Sequence, residues 1–88
     1  GDPKYRSKGY GTKLLFLLLD YCFSHLGMNR VYTKVFANNI ASNKSNRKVG
    51  MFFEGTLRQS IMHMGELTDI NIYSMLKSEY IDITSHGK

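Results

Sequence analysis

The segment from residue 12 to residue 26 contains no Gly or Pro and is apolar around most of a helical circumference. Its polar positions, Lys13, Asp20 and Ser24, follow one another at spacings of seven and four, so they form one narrow stripe along a helix. Gly27 comes directly after the segment, as is typical of a helix end. The pattern therefore predicts a helix from Thr12 to Leu26 that is covered on most of its sides.

Three later segments carry the β-branched and aromatic residues that are typical of strands. They run from Arg30 to Ala37, from Phe52 to Met62 and from Leu67 to Leu76. Met64-Gly65-Glu66 separates the last two segments and predicts a hairpin turn.

The stretch between the first two strands, Asn38 to Val49, is rich in Asn, Ser, Lys and Arg and has poor helix propensity. We interpret it as a loop, or as a weak polar helix that begins near Ala41, is capped by Asn39 and ends at Gly50. The tail from Lys77 to Lys88 is polar, and we expect its end to be frayed.

The order of elements is loop, helix, strand, short helix, strand and strand. Two strands joined through a helix run parallel, and a final hairpin strand can then lie antiparallel to both. The sequence therefore predicts an α+β (mixed α/β) fold with a three-stranded mixed sheet in the order first, third, second.

The length and composition of the chain limit its class. A chain of 88 residues has room for one small domain, and its 42% hydrophobic and 22% charged residues are ordinary for a globular protein. A single cysteine, Cys22, excludes a disulfide framework and fits a reducing compartment. The longest apolar run has six residues, and the opening residues do not resemble a signal peptide. We therefore expect a soluble, cytoplasmic protein that does not enter a membrane.

The positive charge is concentrated in the first part of the chain. The net charge is +5, but residues 1–58 carry ten Lys and Arg against three acids, whereas residues 59–88 carry two against four. The basic part is expected to bind an anion, either a nucleic acid or a phosphate-rich cofactor. The three histidines, His25, His63 and His86, share no metal-ligand spacing, so no metal site is predicted.

The glycine-containing segment Arg6-Ser7-Lys8-Gly9-Tyr10-Gly11 leads directly into the predicted helix at Thr12. Its glycines allow the backbone to approach a ligand, and the unpaired amides at a helix start favour a phosphate. Arg6 and Lys8 add positive charge. The segment lacks the third glycine of the dinucleotide-binding fingerprint. On this feature alone, a phosphate site and a plain turn with a helix cap are equal alternatives.

A second candidate segment, Asn39-Ile40-Ala41-Ser42, follows the first predicted strand. Asn and Ser at the carboxyl end of a strand lie where open sheets bind ligands. Taken alone, the segment is better explained by a capping Asn and a solvated polar helix.

Together the two segments resemble the carboxyl-terminal half of a GCN5-related N-acetyltransferase (GNAT), closest to the branch that acetylates ribosomal-protein amino termini and related amines. The first matches the family's (Gln/Arg)-x-x-Gly-x-(Gly/Ala) pyrophosphate loop. The resemblance covers residues 3–76 without a gap, with Met51 where the family usually has Phe. The other matching positions are Asn39-Ile40-Ala41-Ser42, Lys48, Gly50, Glu54-Gly55, Gly65, Asp69 and Tyr73.

The resemblance implies a specific cofactor site for acetyl-CoA. Asn39 would bind the pantetheine arm, and Lys48 would lie near the nucleotide's phosphates. Ser42 would protonate the departing thiolate, because the Tyr that many relatives use for this role is replaced here by Asn46. The residues whose backbone amides would hold the diphosphate are Arg6, Ser7, Lys8, Gly9, Tyr10, Gly11 and Thr12.

The implied reaction is transfer of an acetyl group from acetyl-CoA to a primary amine: a protein amino terminus, a polyamine or a small amine. In the family, the general base and the acceptor pocket come before the pyrophosphate loop. We therefore expect residues 1–88 to be the carboxyl-terminal part of a single GNAT domain, with half of the cofactor site and incomplete as an enzyme.

Two alternatives stay open. A small basic nucleic-acid-binding module fits the charge of residues 1–58. In that case, however, the match of Asn39, Ser42 and Gly50 to the family's pattern would be a coincidence. The chain could also form a homodimer by pairing its exposed helix and sheet edge with a second copy. A nucleotide cofactor accounts for the charge and the motifs together, so we prefer it to a nucleic acid.

Overall fold

A computed structural model of the chain describes residues 10–86. The first predicted helix, the three strands and the short polar helix are confirmed. The predicted loop residues before Tyr10 lie outside the described residues. The elements are helix α1 (Tyr10–Asp20) with a π-helical turn (Tyr21–His25), strand β1 (Arg30–Phe36), helix α2 (Ile40–Lys48), strands β2 (Phe52–His63) and β3 (Glu66–Leu76), and helix α3 (Lys77–His86).

The three strands form one sheet in the predicted order, β1-β3-β2. Strand β3 pairs antiparallel with both neighbours, with Val31 opposite Met75 and Phe53 opposite Tyr73. Strands β1 and β2 therefore run in the same direction, as the helical connection requires, but β3 separates them. Within residues 10–86 the sheet is antiparallel at both contacts, which corrects the expectation of a mixed sheet.

The predicted hairpin turn between β2 and β3 is confirmed. Met64 and Gly65 have φ angles of 52° and 81°, as in the type I′ turn whose twist matches a two-stranded ribbon. Strand β2 is irregular along its length, because its pairing register with β3 shifts after Phe53 and again after Leu57. At the second shift, the backbone N–H of Gln59 donates to the Asp69 carboxylate at 2.7 Å.

Helix α2 forms despite its poor intrinsic propensity. The side-chain oxygen of Asn39 accepts a hydrogen bond from the backbone N–H of Ser42 at 3.1 Å, so the predicted cap is confirmed. At the other end, Arg47 and Lys48 lie in the last turn, where positive charge is favourable. The helix begins at Ile40, one residue before the predicted start.

Helix α3 occupies a segment for which the sequence predicted a polar tail with a frayed end, and the helix itself was not predicted. The Glu79 carboxylate accepts from the backbone N–H of Leu76 at 2.8 Å and so caps the helix start. Tyr80 is buried and its ring lies 5.1 Å from that of Phe23, while Ile83 packs on the edge of the core. The helix is therefore stabilised by two apolar contacts and a cap.

The core lies between the sheet and the inner face of α1. Leu19 and Tyr73 are fully buried within it. The outer side of α1 is open, however, with Leu14 and Leu17 60% and 63% exposed, so the helix is not covered on most sides within the described residues. The core residues are Leu19, Phe23, Val31, Val35, Val49, Met51, Tyr73, Met75 and Tyr80.

Candidate functional site

The start of α1 and the middle of α2 lie side by side. The Thr12 hydroxyl donates a hydrogen bond to the Ser45 hydroxyl at 3.2 Å. Next to this contact is a cavity of about 180 Å³. The structure thus brings together three residues that the sequence assigned to the cofactor site, Gly11, Thr12 and Ser42. The cavity is lined by Gly11, Leu15, Ser42, Ser45 and Asn46.

Ser42 is held by its backbone, which leaves its hydroxyl for the cavity. Its N–H donates to the Asn39 side chain at 3.1 Å, and its carbonyl accepts from the Asn46 side chain at 2.7 Å. Ser42 is half-buried. A hydroxyl fixed in this way at a cavity wall can hold a proton and deliver it to a neighbouring group.

Asn46 occupies the position where the resemblance placed a Tyr in many family members. Its side chain is buried here and bonds to the sheet. It is 5% exposed, and its side-chain oxygen accepts from the Thr33 hydroxyl on β1 at 2.6 Å. A carboxamide does not give up a proton at neutral pH. The hydroxyl-bearing residues at this cavity are therefore Ser42 and Ser45.

Asn39 follows the end of β1, which is at Phe36, and lines a different cavity from Ser42. Its backbone N–H donates to the Phe36 carbonyl at 2.9 Å, and its side-chain oxygen serves as the cap of α2. The volume of its cavity is about 500 Å³. Asn39 and Ser42 are therefore one helical turn apart but do not share a cavity. The cavity at Asn39 is lined by Phe36, Asn38, Asn39, Ile40, His63, Met64, Glu66 and Thr68.

Lys48 lies at a third cavity, of about 410 Å³, between α1, α2 and α3. Lys13, from the first turn of α1, lines the same space. Two ammonium groups beside one cavity favour an anionic ligand. The cavity is lined by Thr12, Lys13, Phe16, Leu17, Lys48, Val49 and Ile83.

Sequence reasoning missed Lys13 as a candidate binding residue, although a signal was present. A positive charge in the first turn of a helix is opposed by the helix dipole. A lysine at that position, directly after a glycine-containing segment, gains nothing from the helix dipole, and this was the available signal.

The remaining predicted phosphate-binding residues are not tested by the geometry. Arg6, Ser7, Lys8 and Gly9 lie outside the described residues, and Tyr10 begins α1. Across residues 10–86, no three His, Cys, Asp or Glu side chains cluster so as to hold a metal ion. In that same range, no helix is long and apolar enough to cross a membrane.

Two buried asparagines of α2, Asn43 and Asn46, were also missed. Each is 5% exposed, and each bonds to neighbouring strands. With Asn39 they are spaced by four and three residues, which places all three on one face of a helix. That spacing was the available signal, since a solvated polar helix has no reason to align its asparagines.

Glu54, one of the motif positions, belongs to a cluster across the sheet rather than to the cavities. Its carboxylate accepts from the Ser74 hydroxyl at 2.5 Å and from Arg30 at 3.4 Å. The hydrogen bond from Ser74, assisted by Arg30, holds the pKa of Glu54 below its ordinary value. The three side chains come from β2, β3 and β1, so they link all three strands.

The chain matches the sequence model of the Acetyltransferase (GNAT) family over residues 2–51. It is 36% identical over 75 residues to an uncharacterized N-acetyltransferase of Bacillus subtilis, YoaA, covering 85% of this chain and 42% of that protein.

Solved structures of acetyltransferases have the same fold. The spermidine/spermine N-acetyltransferase SpeG of Vibrio cholerae is 26% identical with a TM-score of 0.84, over 93% of this chain and 48% of SpeG. A probable GNAT acetyltransferase of Chromobacterium violaceum is 37% identical with a TM-score of 0.73, over 80% of this chain and 35% of that one.

The chain spans less than half the length of each of these relatives. The family model nevertheless covers more than half of the chain itself. With the shared fold and the motif positions, these matches confirm the resemblance: the chain is a member of the GNAT family of acetyltransferases.

Proposed function

We propose that this chain is the carboxyl-terminal part of a GNAT domain that transfers an acetyl group from acetyl-CoA to a primary amine. The observation that carries the proposal is the contact between Thr12 and Ser45, which sets the start of α1 beside the cavity lined by Ser42. A helix start attracts phosphate groups and a hydroxyl can serve as a proton donor, so this region offers one feature for each end of a phosphate-containing thioester.

The described residues fit the phosphate groups of acetyl-CoA. A helix start attracts anions through its unpaired N–H groups and its positive dipole end. Gly11 carries no side chain to obstruct that approach, and Lys13 and Lys48 add positive charge at the adjoining cavity. In the proposed site, the diphosphate is held by the backbone from Arg6 to Thr12, with Ser7, Lys8, Gly9, Tyr10 and Gly11 between them.

When bound, acetyl-CoA would supply an acetyl group activated as a thioester. The role of Ser42 is then to donate its Oγ proton to a thiolate that leaves at the cavity wall, and the proton that the attacking amine gives up on forming the amide restores the hydroxyl. The role of Asn39 is to orient the pantetheine arm through its carboxamide. Both residues keep fixed backbones because the cap joins them.

The proposed acceptor is a primary amine: a protein amino terminus, a polyamine or a small amine. The SpeG structure supports a polyamine among these, since that relative is a spermidine/spermine N-acetyltransferase. The proposed location is the cytoplasm, in agreement with a single cysteine that forms no internal disulfide.

Cofactor binding tests the proposal directly. Acetyl-CoA is titrated by calorimetry into the full-length protein that carries this chain, and into its Gly11→Val variant. A valine side chain at Gly11 narrows the 180 Å³ cavity and crowds the helix start. We expect affinity to fall about tenfold or more, as for a lost charge-assisted hydrogen bond. Equal affinity of the two proteins would exclude this cofactor site.

A charge-matched pair separates specific binding from general attraction. The double variant Lys13→Met/Lys48→Met removes both lysines that line the 410 Å³ cavity. The control variant Lys34→Met/Lys44→Met removes two lysines that do not line it. We expect only the first to weaken acetyl-CoA binding. An equal loss in both would mean that net charge, and not this cavity, attracts the ligand.

A further inference from the structure

The side-chain amide of Asn43 joins three elements of the fold. Its Nδ2 donates to the carbonyl of Phe36, the last residue of β1, at 3.0 Å and to the carbonyl of Asn39 at 2.7 Å. Its Oδ1 accepts from the Asn71 amide and from the Tyr73 hydroxyl, both on β3 and both at 2.7 Å. The amide thus connects the end of one strand, the start of α2 and the central strand.

We infer that Asn43 and Tyr73 are positioning residues for catalysis: they fix the start of α2 and thereby set where Ser42 and Asn39 lie. The inference rests on the proposed function for its catalytic consequence. The geometric part depends only on the hydrogen bonds among the described residues.

The bonding capacity of the Asn43 amide is fully used. A carboxamide has two N–H donors and an oxygen with two lone pairs, and all four have partners here. The side chain is 5% exposed, and Tyr73 is fully buried. Water therefore has little access to replace a lost partner. An unsatisfied polar group at this depth costs free energy, so the neighbouring backbone is expected to shift until the group finds another partner.

The bonds of Asn43 lead directly to the candidate catalytic residue. The Asn39 carbonyl is held by Asn43, and the Asn39 side chain holds the backbone N–H of Ser42 at 3.1 Å. Asn71 and Tyr73 are two residues apart on one strand, so they lie on the same face of β3 and reach the same oxygen. A displaced Asn43 would therefore move the cap, and with it the Ser42 hydroxyl at the cavity wall.

A matched pair of variants tests this inference in the full-length protein. Tyr73→Phe removes the hydroxyl that donates to Asn43 at 2.7 Å. Ser74→Ala, at the next position of β3, removes a hydroxyl that donates to the Glu54 carboxylate at 2.5 Å. Each variant loses one hydrogen bond from a buried side chain of β3, so both should lose stability, but only Tyr73→Phe loses a bond to α2.

The kinetic readout separates positioning from stability. In Tyr73→Phe we expect kcat to fall about tenfold and KM for acetyl-CoA to rise by a smaller factor, since Asn39 shifts with the cap whereas the helix start at α1 is untouched. In Ser74→Ala we expect kcat and KM within about twofold of the wild type. Equal kcat losses in the two variants at equal stability would overturn the inference.

A second readout does not depend on activity. Hydrogen exchange of the Ser42 backbone N–H reports directly on its bond to Asn39. We expect exchange at this amide to be about tenfold faster in Tyr73→Phe, relative to the change in global stability, and unaltered in Ser74→Ala. An unaltered Ser42 amide in Tyr73→Phe would overturn the inference.

The two readouts also separate this inference from the proposed function. If the wild-type protein acetylates no amine, the proposed activity is rejected. Faster exchange of the Ser42 amide in Tyr73→Phe than in the wild type would still support the positioning geometry. If Tyr73→Phe does not fold, Asn71→Ser takes its place, because it removes the other donor to the Asn43 oxygen at a half-buried position.

Discussion

The Thr12 hydroxyl donates to the Ser45 hydroxyl at 3.2 Å across 33 residues of sequence, and this bond joins α1 to α2. Thr12 also lines the cavity that contains Lys48, whereas Ser45 lines the cavity that contains Ser42. The bond therefore lies between the two spaces that we assign to the cofactor, and it fixes the separation of the two helices there.

Removal of this bond is expected to weaken the association of the two helices. Ser45→Ala should lower the free energy of unfolding by about 0.5–1.5 kcal/mol, the usual net value of a partly buried hydrogen bond. Ser24→Ala is the matched control, since it removes an exposed hydroxyl bond to Asp20 of the same 3.2 Å length. Urea denaturation measures both, and a larger loss in the control would contradict this role of Ser45.

The two sides of α1 should respond differently to truncation. Leu19 is fully buried and Leu17 is 63% exposed on the same helix. In the 88-residue chain, Leu19→Ala should cost about 2–5 kcal/mol, from lost transfer free energy and a residual cavity. Leu17→Ala should stay within about 0.5 kcal/mol of the wild type. Equal costs in thermal or urea unfolding would mean that α1 presents a different face to the sheet.

Local signals made most of the fold predictable from the sequence. Gly27 after an apolar run, and the Met64-Gly65 pair between two strands, mark element ends through backbone preferences that need no tertiary contact. Helix α3 could not be recognised in this way. It depends on Tyr80 and Ile83 reaching a core that is built from distant residues, and its other positions are polar apart from the exposed Ile81.

The candidate site was predictable only where motif positions carried the information. Ser42 was expected at the site through the family resemblance, and the structure places it at the cavity beside Gly11. The spacing of the asparagines could indicate a buried face, but the bonding partner of Asn43 was not predictable, because Tyr73 lies 30 residues further along the chain. From the sequence alone, a polar side chain is predicted to be solvated, because the partners that allow its burial come from distant strands of the sheet.

The bond between Tyr80 and Asp20 should make stability depend on pH at the acidic end. The Tyr80 hydroxyl donates to the Asp20 carboxylate, which lowers the pKa of Asp20 below its ordinary value of 3.8. Because the folded pKa is depressed, the stabilisation is complete above the unfolded pKa and is lost as pH falls through the folded one. We expect the free energy of unfolding to decline in that acidic range.

The variant Tyr80→Phe isolates this contribution. It should destabilise the protein more at about pH 6, where Asp20 is ionised, than at a pH acidic enough to protonate Asp20 in the folded state as well. Burial, and then the bond to Asp20, raise the pKa of Tyr80 above its ordinary value of 10.0. The stabilisation from this second shift is complete below the unfolded pKa of Tyr80 and is lost as pH rises through its folded pKa. Urea unfolding across pH provides the measurement, and an equal effect of the variant at both acidic pH values would refute the assignment.

Gly50, at the end of α2, should tolerate alanine less well than Gly27. Both glycines have positive φ angles, +95° and +67°, so alanine costs about 1–2 kcal/mol of backbone strain at either position. At Gly50 the added Cβ would also lie 2.7 Å from Cδ1 of Ile83 on α3, whereas Gly27 has no atom within 4 Å. Rotation of Ile83 adds about 0.5–1.5 kcal/mol at Gly50 alone.

The same pair of glycines offers a rescue experiment. Ile83→Val deletes the Cδ1 methyl, so in the Gly50→Ala background it should recover the part of the loss that comes from the clash. In the Gly27→Ala background the same change should only destabilise, by about 0.5–1.5 kcal/mol, because it removes a packed methyl group. Urea unfolding of the four variants measures this difference. Additive effects in both backgrounds would show that α3 does not pack against Gly50.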